Sequence, residues 1–164
     1  ALILQTIVDG LEDCGLDPPG RVVRYHGLLP NFPCCKPNGG DGDRLSVSWE
    51  VGDAPGVCAR PQPWTLIVRW VTCWPLLDPS PGQPFNVDWV EVEATSGRIA
   101  DYSECIQATL AREVCGFGPA RPEWFAAMLQ PELGRVEPIR PNGGCAGTAW
   151  RIVVPVRAAR SPAT

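Results

Sequence analysis

Apolar residues recur every three or four positions at the start of the chain and every second position further along. Between residues 2 and 14 the spacing is that of an amphipathic helix, which Gly15 is expected to end. From Leu45 to Val51 apolar side chains alternate with polar ones, as in a strand with one polar face. A second long strand, from Trp64 to Trp74, places Trp64, Leu66, Val68 and Trp70 on one side and Arg69 on the other. These two strands are predicted to pair as an antiparallel hairpin.

A short strand and a second helix are predicted from weaker patterns. Residues 21–25 form a run of valines and arginines that fits a first strand. A later apolar stripe continues to Cys115 at helical spacing, and either Thr95 or Ser96 is expected to cap the start of that helix. The preceding residues 85–92 fit a further short strand or the approach to the helix.

The end of the chain predicts a second hairpin. Residues 136–139 and 150–156 fit two strands on either side of an Asn-Gly-Gly turn, and residues 122–129 fit a short helix before them. We therefore expect an α+β fold with an antiparallel or mixed sheet of about four to six strands. The N-terminal helix and the second, long helix pack on one face of it. The whole chain, residues 1–164, is predicted to be a single domain.

Composition and charge exclude several classes of function. With 17 glycines and 19 prolines among 164 residues, turns should be frequent and a helical bundle is disfavoured. The formal net charge is −4 and no basic cluster occurs, which disfavours a protein that binds nucleic acid through its phosphates. No apolar run approaches the ~18 residues of a membrane span. We expect a soluble protein with no membrane partner.

The residues that could support catalysis are few and scattered. The only histidine, His26, follows Tyr25 at the end of the first predicted strand and fits a structural position better than that of a catalytic base. No nucleophile-elbow, phosphate-loop, dinucleotide or zinc-protease motif is present. Asp88, Glu91 and Glu93 fit a solvated edge better than a pair of glycosidase carboxylates. The sequence therefore predicts no enzyme, no catalytic residue and no cofactor.

The eight cysteines leave two interpretations open, buried thiols or one or two disulfide bonds. No pair has the Cys-x-x-Cys spacing of a zinc site, so no metal site is predicted. Cys105 and Cys115 should lie ~15 Å apart on one helix and should not bond to each other. The candidates for disulfide bonds or buried thiols are Cys34, Cys35, Cys58, Cys73 and Cys145.

The seven tryptophans divide into core and interface candidates. Trp49, Trp70 and Trp150 fall on the apolar side of predicted strands and are expected in the core. Trp74 and Trp89 flank a proline-rich segment and are candidates for a protein interface.

Three sequence blocks point to one family. They are the double cysteine Cys34-Cys35 followed by Gly39-Gly40, the strand 64–75 that ends in Cys-Trp-Pro, and a block before Trp150 composed of Gly143, Gly144, Cys145, Ala146 and Gly147. Together they resemble the head-to-tail connection proteins of long-tailed phages that infect actinobacteria. The resemblance spans residues 34–156, within which residues 76–92 and 119–134 are expected to be insertions.

Among connection proteins, the predicted order of elements is similar to that of tail terminators. This resemblance implies a ring of six copies that caps the tail tube and docks it to the head connector. The implied partners are further copies of the chain, the major tail tube protein and the head-to-tail stopper, with genome DNA only passing through the lumen. The implied place is the tail top of the virion, after assembly in the host cytoplasm. A stopper, or a secreted, disulfide-stabilised binding module, remains an alternative.

Overall fold

The computed structural model describes residues 2–26, 42–51, 64–75, 88–115, 132–142 and 144–154. Within these residues the chain forms two helices and five strands. In chain order they are α1 (Leu2–Asp13), β1 (Arg21–His26), β2 (Arg44–Val51), β3 (Trp64–Cys73), α2 (Trp89–Cys115), β4 (Glu132–Asn142) and β5 (Cys145–Val154). The predicted α+β class is confirmed.

The five strands form one mixed sheet in the order β1-β2-β3-β5-β4. The predicted hairpin of β2 and β3 is confirmed, with Leu45 opposite Trp70 and Val47 opposite Val68. β5 pairs antiparallel with both β3 and β4, whereas β1 runs parallel to β2. The 17 residues between β1 and β2 are enough for the crossover that a parallel pair needs. The sheet is therefore mixed rather than purely antiparallel.

Both helices pack on the same face of the sheet, as predicted. Alternate residues of the three central strands point toward the helices and form the core with the apolar stripes of α1 and α2. Its fully buried members include Ile7, Leu11, Leu45, Leu66, Val68, Trp70, Ile106, Leu110, Trp150 and Ile152. Of the three tryptophans expected in the core, Trp70 and Trp150 are completely buried and Trp49 packs partly buried against it.

The start of α2 differs from the prediction. The helix begins at Trp89, and Asp88 caps it by accepting hydrogen bonds from the backbone N–H groups of Val90 (3.1 Å) and Glu91 (3.2 Å). The Ser96 hydroxyl instead donates to the carbonyl oxygen of Val92 inside the helix, at 2.7 Å. The expectation of a cap at Thr95 or Ser96 is therefore wrong, because Asp88 satisfies the free N–H groups of an earlier first turn.

The predicted chain reversals at both ends of the fold are confirmed. Gly15 ends α1 with a φ of 73°, and the N–H of Leu16 bonds back to the carbonyl oxygen of Leu11 at 2.9 Å. β4 and β5 form the predicted terminal hairpin, and Gly144 has a φ of 78° at its turn. Neither described helix combines the length and apolar character needed to cross a membrane. The short helix predicted at 122–129 lies outside the described residues.

Candidate functional site

The residues considered for catalysis do not converge. Asp88, Glu91 and Glu93 are all exposed; Asp88 caps α2, and the two glutamates lie on its first turns rather than on a strand. Two residues apart on a helix, Glu91 and Glu93 point in different directions and cannot act as a pair. The backbone of His26 ends β1 opposite Trp49, while its side chain lies outside the described part of the structure. No group of described His, Cys, Asp and Glu side chains is arranged to hold a metal ion.

A disulfide bond between Cys14 and Cys105 links the end of α1 to the middle of α2. This pair was not among the cysteines selected from the sequence, because only the antiparallel packing of the two helices brings it together. Cys105 is bonded to Cys14 and not to Cys115, as predicted for two cysteines ten residues apart on one helix. Beside the bond lies a surface depression of about 390 Å³, lined by Cys14, Leu16, Asp101, Glu104, Cys105 and Ala108.

The predicted cysteine candidates fall into two groups. Cys73 and Cys145 are both disulfide-bonded. They lie on the central strands β3 and β5, where their backbones are opposite each other in the antiparallel register. Cys34, Cys35 and Cys58 lie outside the described residues.

Gly144 and Gly147, the described glycines of the block 143–147, have definite backbone roles. Gly144 adopts the left-handed conformation that favours glycine, and its carbonyl oxygen accepts a hydrogen bond from the N–H of Trp74 at 2.8 Å. At Gly147, a Cβ atom would lie 2.0 Å from the carbonyl oxygen of Trp70 on β3. Ala146 between them is buried. The described part of the block thus fixes how β5 leaves its turn and packs against β3.

A polar cluster built around the buried Asp43 joins α2 to one end of the sheet. The Asp43 carboxylate, only 6% exposed, accepts a hydrogen bond from the Thr72 hydroxyl at 2.6 Å and forms an ion pair with Arg98 of α2. The Arg98 guanidinium lies 5.6 Å from the centre of the Tyr102 ring, which stacks on Trp70 at 4.6 Å. We call Asp43, Thr72, Arg98 and Tyr102 the anchor cluster, because it holds α2 at a defined position.

The opposite face of the sheet carries a charge-balanced network. Arg69 donates to the Ser48 hydroxyl at 2.7 Å and pairs with Glu50 at 3.4 Å. Arg151 pairs with Glu50 at 3.6 Å and with Glu137 at 3.5 Å. Burial lowers the pKa of Arg69, although the neighbouring carboxylate of Glu50 opposes this effect. Two arginines and two glutamates therefore neutralise each other across four strands.

Exposed apolar side chains mark a candidate interface. Trp89 and Val90, at the start of α2, are 71% and 78% exposed. Each edge strand of the described sheet adds one exposed apolar residue, Val22 on β1 and Val136 on β4. Trp74 is half-buried beside the β4–β5 turn. Of the two tryptophans selected as interface candidates, Trp89 is thus the more accessible.

Within the described residues, the charged side chains of the two networks pair with one another, and Trp89 and Val90 at the start of α2 are the most exposed large apolar side chains. No protein-family model matches the chain, and no curated protein matches it in sequence.

Proposed function

We propose that this chain is a non-enzymatic structural protein of the phage head–tail junction, and that it acts as a tail terminator assembled in a ring of six. The observation that carries the proposal is the order of elements. An N-terminal helix, a sheet, a second long helix and a last hairpin follow one another in the described residues. This is the order that the resemblance to terminators implies. The resembling block 64–75 contains β3, and residues 145–147 of the last block begin β5, which pairs with β3.

The proposed mechanism is geometric. A ring of identical heterologous contacts satisfies every subunit and leaves two different faces, one for the tail tube and one for the stopper. The tube can then no longer grow at the capped end. Six copies at −4 each carry about −24, which disfavours binding of phosphates in the lumen and suits unhindered passage of DNA. Such a ring assembles in the host cytoplasm and remains at the tail top of the virion.

The test uses the purified chain and the major tail tube protein. The two are mixed during tube polymerisation, and tube lengths and end views are recorded by electron microscopy. Tube protein alone and tube protein with serum albumin are the controls. We expect six-fold rings at tube ends and shorter, more uniform tubes. If the chain forms no ring and leaves the length distribution unchanged, the terminator proposal is wrong.

The same preparation separates the alternatives. A stopper would bind the head connector and leave tube polymerisation unaffected. A secreted binding module is favoured by one observation, the disulfide bonds at Cys14–Cys105, Cys73 and Cys145. Such a module would stay monomeric, and it would lose its fold in a reductant. Rings that form in the presence of a reductant would exclude it.

A further inference from the structure

The first ten residues of the α2 region project beyond the packed core. From residue 88 to residue 101 no side chain is buried, and Tyr102 is the first that is. At 1.5 Å per residue the 27-residue helix is about 40 Å long, longer than the ~33 Å of a ten-residue strand. We call residues 88–97 the α2 overhang.

The overhang starts from a fixed point. Arg98, the residue next to it, is paired with the buried Asp43, which also binds Thr72 at the end of β3. The backbone carbonyl oxygen of Asp43 accepts a hydrogen bond from the N–H of Arg21 at 3.2 Å, so the same cluster reaches the start of β1. The overhang is therefore a helical arm with a rigid base, and little conformational entropy is lost when it binds a partner.

The overhang is both acidic and apolar. Asp88, Glu91 and Glu93 are exposed, and no basic residue lies between residues 88 and 97. Trp89 and Val90 are the two most exposed large apolar residues of the described structure. An exposed tryptophan beside carboxylates is typical of a protein contact that combines an aromatic anchor with charge recognition.

The complementary surface of the same chain lies on β1. Arg21, Val22 and Arg24 are all exposed on this edge strand, which has β2 as its only described neighbour. Neither arginine makes an ion pair within the described part of the chain, with the overhang carboxylates or otherwise. The opposite edge, β4, is less suited to a contact because Pro138 and two register shifts interrupt it.

We propose that the α2 overhang of one copy docks against β1 of a second copy. Trp89 and Glu93, one helical turn apart, face Val22 and Arg24 on one side of β1, and Glu91 and Arg21 add charge at the margins of the contact. The proposal rests on the ring function above and names its subunit contact. The two surfaces differ, so each copy offers one of each, and the contact repeats from copy to copy until the ring closes.

Charge reversal tests the contact. We compare E91R/E93R, R21E/R24E and the combined four-residue variant with wild type by native mass spectrometry and light scattering. The matched control is E12R/D13R, which reverses two exposed carboxylates on α1. Each two-residue reversal in the contact should weaken self-association at least about a hundredfold, because it places like charges opposite each other. The combined variant should associate again, and the control should behave as wild type.

Mixing provides a sharper readout. E91R/E93R has a basic overhang and a basic β1, whereas R21E/R24E has two acidic surfaces. Each should be monomeric alone, but an equimolar mixture should form rings in which the two variants alternate, as an even number of subunits permits. Circular dichroism and melting curves verify that every variant is folded. W89A, which keeps all charges, should weaken association about tenfold or more through loss of the aromatic anchor.

The outcomes separate the contact from the function. If wild type forms rings that cap tubes and the reversed variants do the same, the contact is wrong and the function stands. If wild type neither forms rings nor limits tube length, the function is wrong. Self-association that is lost on reversal and restored by mixing supports the contact in either case. Failure of both the combined variant and the mixture to associate overturns it.

Discussion

The disulfide bond between α1 and α2 makes the most quantitative prediction for this fold. We expect the double substitution C14A/C105A to lower the free energy of unfolding by about 3–5 kcal/mol. The two cysteines are 91 positions apart, and removing a cross-link of that span restores chain entropy to the unfolded state worth about 4.6 kcal/mol at 25 °C. Loss of the buried Cys105 sulfur adds a packing cost, since this residue is only 5% exposed.

One effect opposes this loss. Cys73 and Cys145 are also disulfide-bonded, so the unfolded chain is already restricted and the entropy released by the double substitution is smaller. Changing both cysteines together avoids a free thiol that could exchange with those bonds. The substitution should leave the core intact, because alanine fits wherever a half-cystine does and both helices keep their apolar contacts.

Urea unfolding followed by tryptophan fluorescence measures the effect. Trp70 and Trp150 are completely buried, so their emission should shift to longer wavelength when the core opens. The slope of the free energy with urea should rise, because an unfolded chain without the cross-link exposes more surface. A second variant without a free thiol at either position, C14S/C105A, should lose a similar amount. A loss below about 1 kcal/mol with an unchanged slope would refute the reasoning.

Three further substitutions test close contacts elsewhere in the fold. In G10A the new Cβ would lie 2.3 Å from the Thr109 hydroxyl oxygen, so we expect the free energy of unfolding in urea to fall by about 2–3 kcal/mol. Adding T109A should restore most of this stability. If it restores none, α1 does not cross α2 at Gly10 and Thr109. In G147A the new Cβ would lie 2.0 Å from a backbone carbonyl oxygen of β3, a clash that no side-chain change can relieve. We therefore expect little soluble protein. If G147A melts like wild type, β5 packs differently against β3. R98M should lower the free energy of unfolding by about 1–3 kcal/mol, because it leaves the buried Asp43 carboxylate without its cation. Adding D43N should recover part of this loss. If R98M and wild type are equally stable in thermal melts, the ion pair has no structural role.

The elements predicted well are those whose pattern is local. β2 alternates apolar and polar residues because one of its faces meets the helices. β3 shows the same repeat in Leu66, Val68 and Trp70, although Ile67 and Val71 are buried on its other face. The end of α1 was predictable for a similar reason, since the left-handed conformation at Gly15 is one that few other residues adopt. In both cases the local structure is determined by residues within a few positions of one another in the sequence.

The start of α2 was missed because the overhang has no core to face. A helix shows its apolar stripe only where something covers it, and the residues from 88 to 101 contain no buried side chain. The apolar stripe therefore becomes clear only near Tyr102. For that reason the helix was predicted to start close to it, with a cap at Thr95 or Ser96. The signal that could have corrected this was Asp88, a good cap followed by no helix breaker until Gly97.

The parallel β1–β2 pair and the Cys14–Cys105 bond could not be predicted for a different reason. Both depend on segments far apart in the chain. Whether β1 runs parallel or antiparallel to β2 is set by the connection between them. The residues of the two strands carry no signal for that direction. The disulfide depends on α1 crossing α2 where Gly10 meets Thr109, and eight cysteines allow 105 pairings that spacing alone does not rank.

The block 143–147 is one of the three blocks behind the proposed phage function, yet its described residues are poor targets for a test of that function. Gly144 supplies a positive φ at the turn, and Gly147 allows β5 to approach β3. Substitutions there should unfold the hairpin and abolish any activity, whether the protein is a terminator, a stopper or a secreted module. Charge reversals on the α2 overhang and β1 alter exposed side chains and leave the core intact. A change in ring formation after such a reversal would therefore report on assembly itself, which a substitution that unfolds the hairpin cannot do.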